Sequence, residues 1–188
     1  MVSKKRVVAI NGSASQNSSN LSILKFISEL SQSDFDMVII EDLSDLPHFR
    51  TELAHNDVPA KVVEFRNCIE DVDGVIISTP EYIFSVPSRL KNAIEWCVST
   101  NVFYNKPIGI ITASANGERG HEELKLLMRT VQGIITQEGT LLIQGARGKV
   151  GKSGKINSST QKKIRNLVDS FSKLIAQHDS GIKEDRYL

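Results

Sequence analysis

Three stretches of the chain gather residue types that could hold a small anionic or aromatic molecule. Residues 11–20 carry Ser13, Ser15, Ser18 and Asn20 between an apolar run and a helical pattern. Orphan N–H groups and the positive end of a helix dipole favour a phosphate at such an entrance, and hydroxyl and amide side chains add donors. The same residue types cap helices, so composition alone leaves phosphate binding and simple capping both open. The stretch lacks GxGxxG, which argues against a dinucleotide pyrophosphate on a Rossmann turn.

The second stretch, residues 79–96, holds Pro80, Glu81, Tyr82 and Ile83, with Pro87 further on. Two prolines fix φ on either side of a turn that joins an apolar run to a helix. Rigid backbone there would present N–H and C=O groups to the polar edge of a planar ring, with Tyr82 or Phe84 over its apolar surface. Ile94 and Trp96 are expected in the core; Lys91, Asn92 and Glu95 are expected at solvent or a subunit contact. The third stretch, residues 113–121, has Ser114, Asn116 and two glycines, Gly117 and Gly120, which let backbone approach a ring closely. Arg119 and His121 are expected to face water.

These stretches are loops in an alternating chain of elements. Apolar β-branched runs at residues 6–10, 37–40, 74–78, 107–112 and 140–144 read as strands. Helical patterns follow at 21–30, 62–69, 86–98, 122–136 and 161–176. Five strands, each followed by a helix, predict one α/β domain over residues 1–188 with a parallel sheet, residues 178–188 forming a flexible tail. In open sheets of this kind ligands bind beyond the carboxyl ends of the strands, which is where all three stretches fall.

Composition narrows the function further. Lys and Arg total 23 against 22 Asp and Glu, a net charge of +1 that gives no electrostatic reason to expect nucleic acid or a membrane as partner. Cys68 and Cys97 form no CxxC pair and are expected as buried or half-buried thiols in a reducing compartment. The four histidines show no metal-ligand spacing, so no metal is expected, and the location expected is the cytoplasm. Residues 146–153 approach the phosphate-loop pattern GxxxxGK[ST], but Ala146 stands at its first glycine. No later strand follows to supply a magnesium-binding Asp, and a mobile basic connection is expected instead.

Residues 80–96, with Pro80, Glu81, Tyr82, Ser85, Pro87, Leu90, Lys91, Asn92, Ala93, Ile94 and Trp96, resemble the PEYNxSxPxxLKNAIDW signature of NADPH-dependent FMN reductases. Gly12, Ser13, Ser18 and Asn20 resemble that family's GSxRxxSxN loop, and Leu46, Pro47 and Phe49 its LPxF segment. Two departures from the pattern matter: Ser15 replaces an arginine and Ile83 an asparagine. The resemblance implies a flavodoxin-like three-layer sandwich, sheet order 2-1-3-4-5. It also implies FMN held by Ser13, Ser15, Ser18, Asn20, Pro80, Glu81, Tyr82, Ile83, Ser114, Asn116 and Gly117. NADPH or NADH would be the electron donor, and a quinone, azo compound, chromate or free flavin the acceptor. Both substrates would use one face of the ring in turn, so no catalytic side chain is expected. Family resemblance further implies a homodimer or homotetramer. The alternative is a flavodoxin-type electron-transfer protein without enzymatic turnover, and a flavin-free binding protein is a third class.

Overall fold

A computed structural model describes residues 4–15, 17–151 and 153–185, with side chains as far as His178. Five strands, β1 (Lys5–Asn11), β2 (Phe35–Ile40), β3 (Gly74–Thr79), β4 (Ile108–Ala113) and β5 (Thr140–Ile143), form one parallel sheet in the order β2-β1-β3-β4-β5. That is the topology the resemblance implied. β3 and β4 are buried along their whole length, which explains why their sequences show no polar alternation.

Strand residues of alternate parity feed two cores. Val7, Ala9, Ile76, Ile111 and Ile143 pack on one face against α1 (Ser19–Leu30) and α6 (Ser158–Asp185), through Ile23, Leu24, Ile27, Leu167 and Phe171. On the other face, Val8, Ile10, Val75, Ile77 and Ile110 meet α2 (Ala60–Glu70), α3 (Ser88–Glu95) and α4 (Glu118–Thr130), through Phe65, Ile69, Leu90, Ile94 and Leu124. Phe171 lies edge-on to Phe35 with centroids 5.8 Å apart and is fully buried, so truncating it to alanine would cost about 3–5 kcal/mol.

Most boundaries differ from the sequence expectation by one to four residues. Larger shifts are the carboxyl end of α6, expected at 176 and found at Asp185, and α4, expected at 122–136 and found at Glu118–Thr130. Gly117, with φ +91°, starts it early, and Gln132, with φ +63°, turns the chain just after its end. A short helix α5 (Ala146–Lys149) was not anticipated. α6 reaches Asp185, so the tail expected from residue 178 falls inside the helix as far as that residue; residues 186–188 lie outside the described part.

Two expectations for single side chains change. Cys97 is buried, and burial pushes its thiol up to about 12, but Cys68 is exposed on α2; both are free. Asn92, expected at solvent or a subunit contact, instead brackets the loop after β2. Its Nδ2 donates to the Pro47 carbonyl at 3.0 Å and its Oδ1 accepts from the Phe49 N–H at 2.8 Å. The Trp96 indole donates to the same Pro47 carbonyl at 2.7 Å, and its ring meets Phe49 edge-on. The LPxF segment is therefore strapped to α3 by its own carbonyl. Arg66 completes the clamp from α2, donating to the carbonyls of Trp96 and Ala54.

Candidate active site

The first loop leaves β1 at Asn11 and enters α1 at Ser18. Ser18 is the N-cap: its Oγ accepts from the Leu21 N–H at 3.0 Å, with extended backbone at φ −92° and ψ 149°. Asn11 Oδ1 turns the chain by accepting from Ser13 N–H at 3.2 Å, and Ser13 Oγ accepts from Ser15 N–H at 3.2 Å. Among the described residues, the N–H groups of Ala14, Asn17 and Ser18 have no protein acceptor. Those of Ser19 and Asn20 lie in the first turn of α1, where no intrahelical acceptor exists. Free donors at a helix entrance are the kind of groups that can receive a phosphate. Gly12 lets the loop sit so low: a Cβ there would lie 2.6 Å from Thr79 Oγ1 and 2.7 Å from Leu90 Cδ2.

The Asn20 side chain braces the floor of this loop. It is buried, its Nδ2 donates to the Ala113 carbonyl at 3.1 Å, and its Oδ1 accepts from Ser78 Oγ at 2.9 Å. One side chain thus ties α1 to the carboxyl ends of β3 and β4. Ser15 is exposed, and Ser13 is buried.

In the second loop, Tyr82 and Ser85 exchange backbone hydrogen bonds of 3.0 and 3.1 Å around Ile83 and Phe84, which have φ of +51° and +57°. Both central residues are left-handed, the geometry of a type I′ turn, in which asparagine or glycine is at home and a β-branched side chain is strained. The position where the family pattern has asparagine therefore requires positive φ, and Ile83 adopts it without that help. Tyr82, Ile83 and Phe84 are 43%, 95% and 72% exposed, an apolar tip held out into solvent.

Two carboxylates hold the tip in place. Glu81 Oε1 accepts from the Gly117 N–H at 3.1 Å and Oε2 from the Gly120 N–H at 2.8 Å, so the motif's acid caps α4. From α4, Glu123 Oε2 accepts from Ser85 Oγ at 2.7 Å and Val86 N–H at 2.9 Å. Gly117 must be glycine on two counts: its φ is +91°, and a Cβ would lie 2.9 Å from Leu142 Cδ1.

The three loops meet around the start of the second. Ser13 Oγ and the Tyr82 hydroxyl lie 3.4 Å apart, and Ser114 Oγ donates to the Glu81 carbonyl at 3.4 Å. Asn116, exposed, accepts through Oδ1 from Gln144 Nε2 at 2.8 Å. Of the expected site residues, Ser13, Tyr82, Glu81, Ser114 and Gly117 are joined directly, while Ser15, Ile83 and Asn116 line the exposed rim. Pro80 is buried beneath it, and Ser18 and Asn20 fix α1.

Glu123 and Gln144 were missed because each lies away from the recognisable motif. His121, expected to face water, is buried with its Nδ1 2.9 Å from Thr112 Oγ1; burial first, then Lys125, holds its pKa below the usual value. Among the described residues, no group of His, Cys, Asp and Glu could hold a metal, and no helix is long and apolar enough to cross a membrane.

Comparison with known proteins agrees with this geometry. The sequence profile of NADPH-dependent FMN reductases matches residues 5–148. The chain is 34% identical to an Arabidopsis thaliana NADPH:quinone oxidoreductase over 125 residues, 64% of each protein, so it spans just under two thirds of that relative. It is 30% identical to NADH-dependent flavin reductase subunit 2 of Lactobacillus johnsonii over 184 residues, 92% of this chain and 98% of the relative. Among solved structures, the Paracoccus denitrificans flavoenzyme FerB, an NAD(P)H:(acceptor) oxidoreductase, superposes with a TM-score of 0.82 at 27% identity, covering 93% of this chain and 98% of FerB. With the family profile spanning both the first loop and the carboxylate-pinned turn, the chain belongs to the NADPH-dependent FMN reductase family.

Proposed function

We propose that the protein is an NAD(P)H-dependent oxidoreductase that holds FMN at the three-loop rim and delivers electrons to a small acceptor such as a quinone. One observation carries this reading. Unpartnered N–H groups at the entrance to α1 lie beside a rigid turn and a glycine-started helix, and Ser13, Tyr82, Glu81 and Ser114 join the three at their base. FMN offers the matching chemistry: a phosphate for the first loop and a flat ring with polar edges for the other two.

When bound, FMN supplies the two-electron carrier chemistry. The protein supplies position and electrostatics. The first loop would take the phosphate on the N–H groups of Ala14, Asn17, Ser18 and Ser19, helped by the hydroxyls of Ser13 and Ser15. The backbone of Ile83 and of residues 115–117 would meet the ring edge. Tyr82 would bound one side, its hydroxyl already anchored near Ser13. His121 is turned inward to Thr112, which leaves it a structural part and agrees with chemistry that needs no protein acid.

The apolar tip at Tyr82, Ile83 and Phe84 supports assembly into a homodimer or homotetramer, because a neighbour covering it would remove strained, exposed apolar surface from water. Sedimentation at several concentrations tests that part; monomer throughout would remove it. The two free thiols, one on the surface, suit a reducing cytoplasm.

The test of the main reading is direct. Purified protein should show flavin absorbance, or gain it on adding FMN, and should then oxidise NADPH or NADH with a soluble quinone and no protein partner. A preparation that stays colourless with FMN, or turns over only with a second protein, contradicts it.

A further inference from the structure

The chain contains two Asn-Gly pairs, Asn11–Gly12 and Asn116–Gly117, whose covalent chemistry the function proposed above does not use. Asparagine is thermolabile, and a following glycine, having no Cβ, leaves the path from its nitrogen to the asparagine side chain open. In the reaction the Gly nitrogen bonds to the Asn Cγ, the Cγ–Nδ2 bond breaks, and Nδ2 leaves as ammonia with the proton of the Gly nitrogen. Water then opens the cyclic imide at one carbonyl or the other, giving aspartate or isoaspartate. Two freedoms set the rate: the side chain must swing its Cγ onto the nitrogen, and the N–H must give up its proton.

The two pairs are held in different ways. Asn11 is 1% exposed, its Nδ2 donates to the Glu41 carbonyl at 2.8 Å, and Gly12 N–H donates to the Ser78 carbonyl at 2.8 Å. That pair is built into the sheet. Asn116 instead lies exposed in the third loop, and side chains from two other elements hold its pair. From the second loop, Glu81 Oε1 accepts from Gly117 N–H at 3.1 Å. Just after β5, Gln144 Nε2 donates to Asn116 Oδ1 at 2.8 Å and to Glu118 Oε1 at 3.1 Å.

Each of these bonds restrains one reacting group. Glu81 engages the N–H of the nucleophile, and Gln144 tethers the amide that must swing. Both bonds have to break before the ring can close, and contacts on an exposed loop open far more often than those of a buried strand end.

We propose that Asn116 is a site of spontaneous deamidation, and that Glu81 and Gln144 form the lock that slows it. Isoaspartate would insert an extra backbone methylene before Gly117, drawing its N–H away from Glu81 at the start of α4. A reacted chain therefore could not rebuild the lock. The test ages the full chain in warm, neutral buffer and follows both pairs by peptide mapping with mass spectrometry. Wild type, Glu81→Ala and Gln144→Ala are compared, with wild type in urea as the reference. The readout is a mass, so the outcome stands whether or not FMN binds.

In urea both pairs should react at comparable rates, because neither is held. In the folded wild type Asn116 should convert slowly and Asn11 should stay intact. Gln144→Ala should speed conversion of Asn116 about fivefold, for a neutral bond, and Glu81→Ala about tenfold, for a charge-assisted one, with Asn11 still intact. Gln144 is exposed, so its variant reads the lock even if Glu81→Ala fails to fold. No conversion at Asn116 in any folded chain, or one rate in wild type and variants, overturns the proposal. Conversion of Asn11 in step with Asn116 also overturns it, because global unfolding would then be the cause.

Discussion

The two ends of the sheet use similar polar groups to opposite effect. Before β4, Lys106 Nζ donates to the carbonyls of Ile69, Glu70 and Val72 at 2.6, 2.9 and 2.9 Å, closing the carboxyl end of α2 with all three of its N–H bonds. Arg6 N–H donates to Asp73 Oδ2 at 2.7 Å, and Asp73 N–H returns to the Arg6 carbonyl at 2.8 Å. At that end donors and acceptors satisfy each other. Beyond the carboxyl ends of β1, β3 and β4, the side chains bind one another to build a frame, while the N–H groups of Ala14, Asn17 and Ser18 have no protein acceptor among the described residues. Saturation marks the structural end and unused donors mark the end proposed to bind, a distinction that cavity size would miss. A cavity of about 210 Å³ lined by Val72, Lys106 and His178 lies at the saturated end, whereas the rim is open.

The comparison breaks most readily at Glu81. Glu81→Ala removes the acceptor for Gly117 and Gly120 and frees the third loop from the second. Two charge-assisted bonds imply a loss of about 3 kcal/mol, hence FMN affinity about 100-fold weaker by fluorescence titration. An affinity within threefold of wild type would mean that the frame does not hold the site. Lys106→Met probes the other end. Urea unfolding should show a loss of about 2 kcal/mol, with FMN affinity unchanged, and a matching fall in FMN affinity would erase the distinction.

Ile83→Asn sharpens the view of the rim. Relieving a β-branched residue at φ +51° where almost no burial is lost should raise stability by about 1 kcal/mol. A loss of stability would show that Ile83 is held by contacts beyond those of the isolated chain. The smallest effect concerns His121. Its pKa is lowered in the folded state, so the unfolded chain binds the proton more readily and stability falls with acidity. The loss should begin near pH 6.5 and continue down to the folded-state pKa. His121→Gln should flatten that part of the stability–pH curve, and an unchanged curve would remove the assignment.

Much of this was legible in the sequence. Unbroken β-branched runs gave the buried strands, and their alternation with helices gave the sheet. The second loop stood out because its prolines and aromatic residues sit at fixed spacing. What stayed hidden were contacts set by tertiary approach. Glu123 carries no motif, yet it reaches Ser85 and Val86 across 37 or 38 positions of sequence. His121 looked like a helix-start residue facing water, but α4 begins at Glu118 and rotates it inward to Thr112. Asparagine suits both phosphate donation and bracing, and the bracing bonds of the Asn20 side chain are set by the meeting of α1, β3 and β4. The connection after β5 read as a linker because glycine, lysine and serine suit one, and the core contacts of Val150 and Ile156 were not legible there.

The most direct test of the rim is amide chemical-shift mapping of the isotopically labelled chain during titration with FMN, repeated with riboflavin, which lacks the phosphate. FMN should move the amides of residues 14–19, 82–84 and 115–117 most, and riboflavin should spare the first group while moving the other two. Shifts centred on the Lys106 end of the sheet, or no localised shifts at all, would contradict the account.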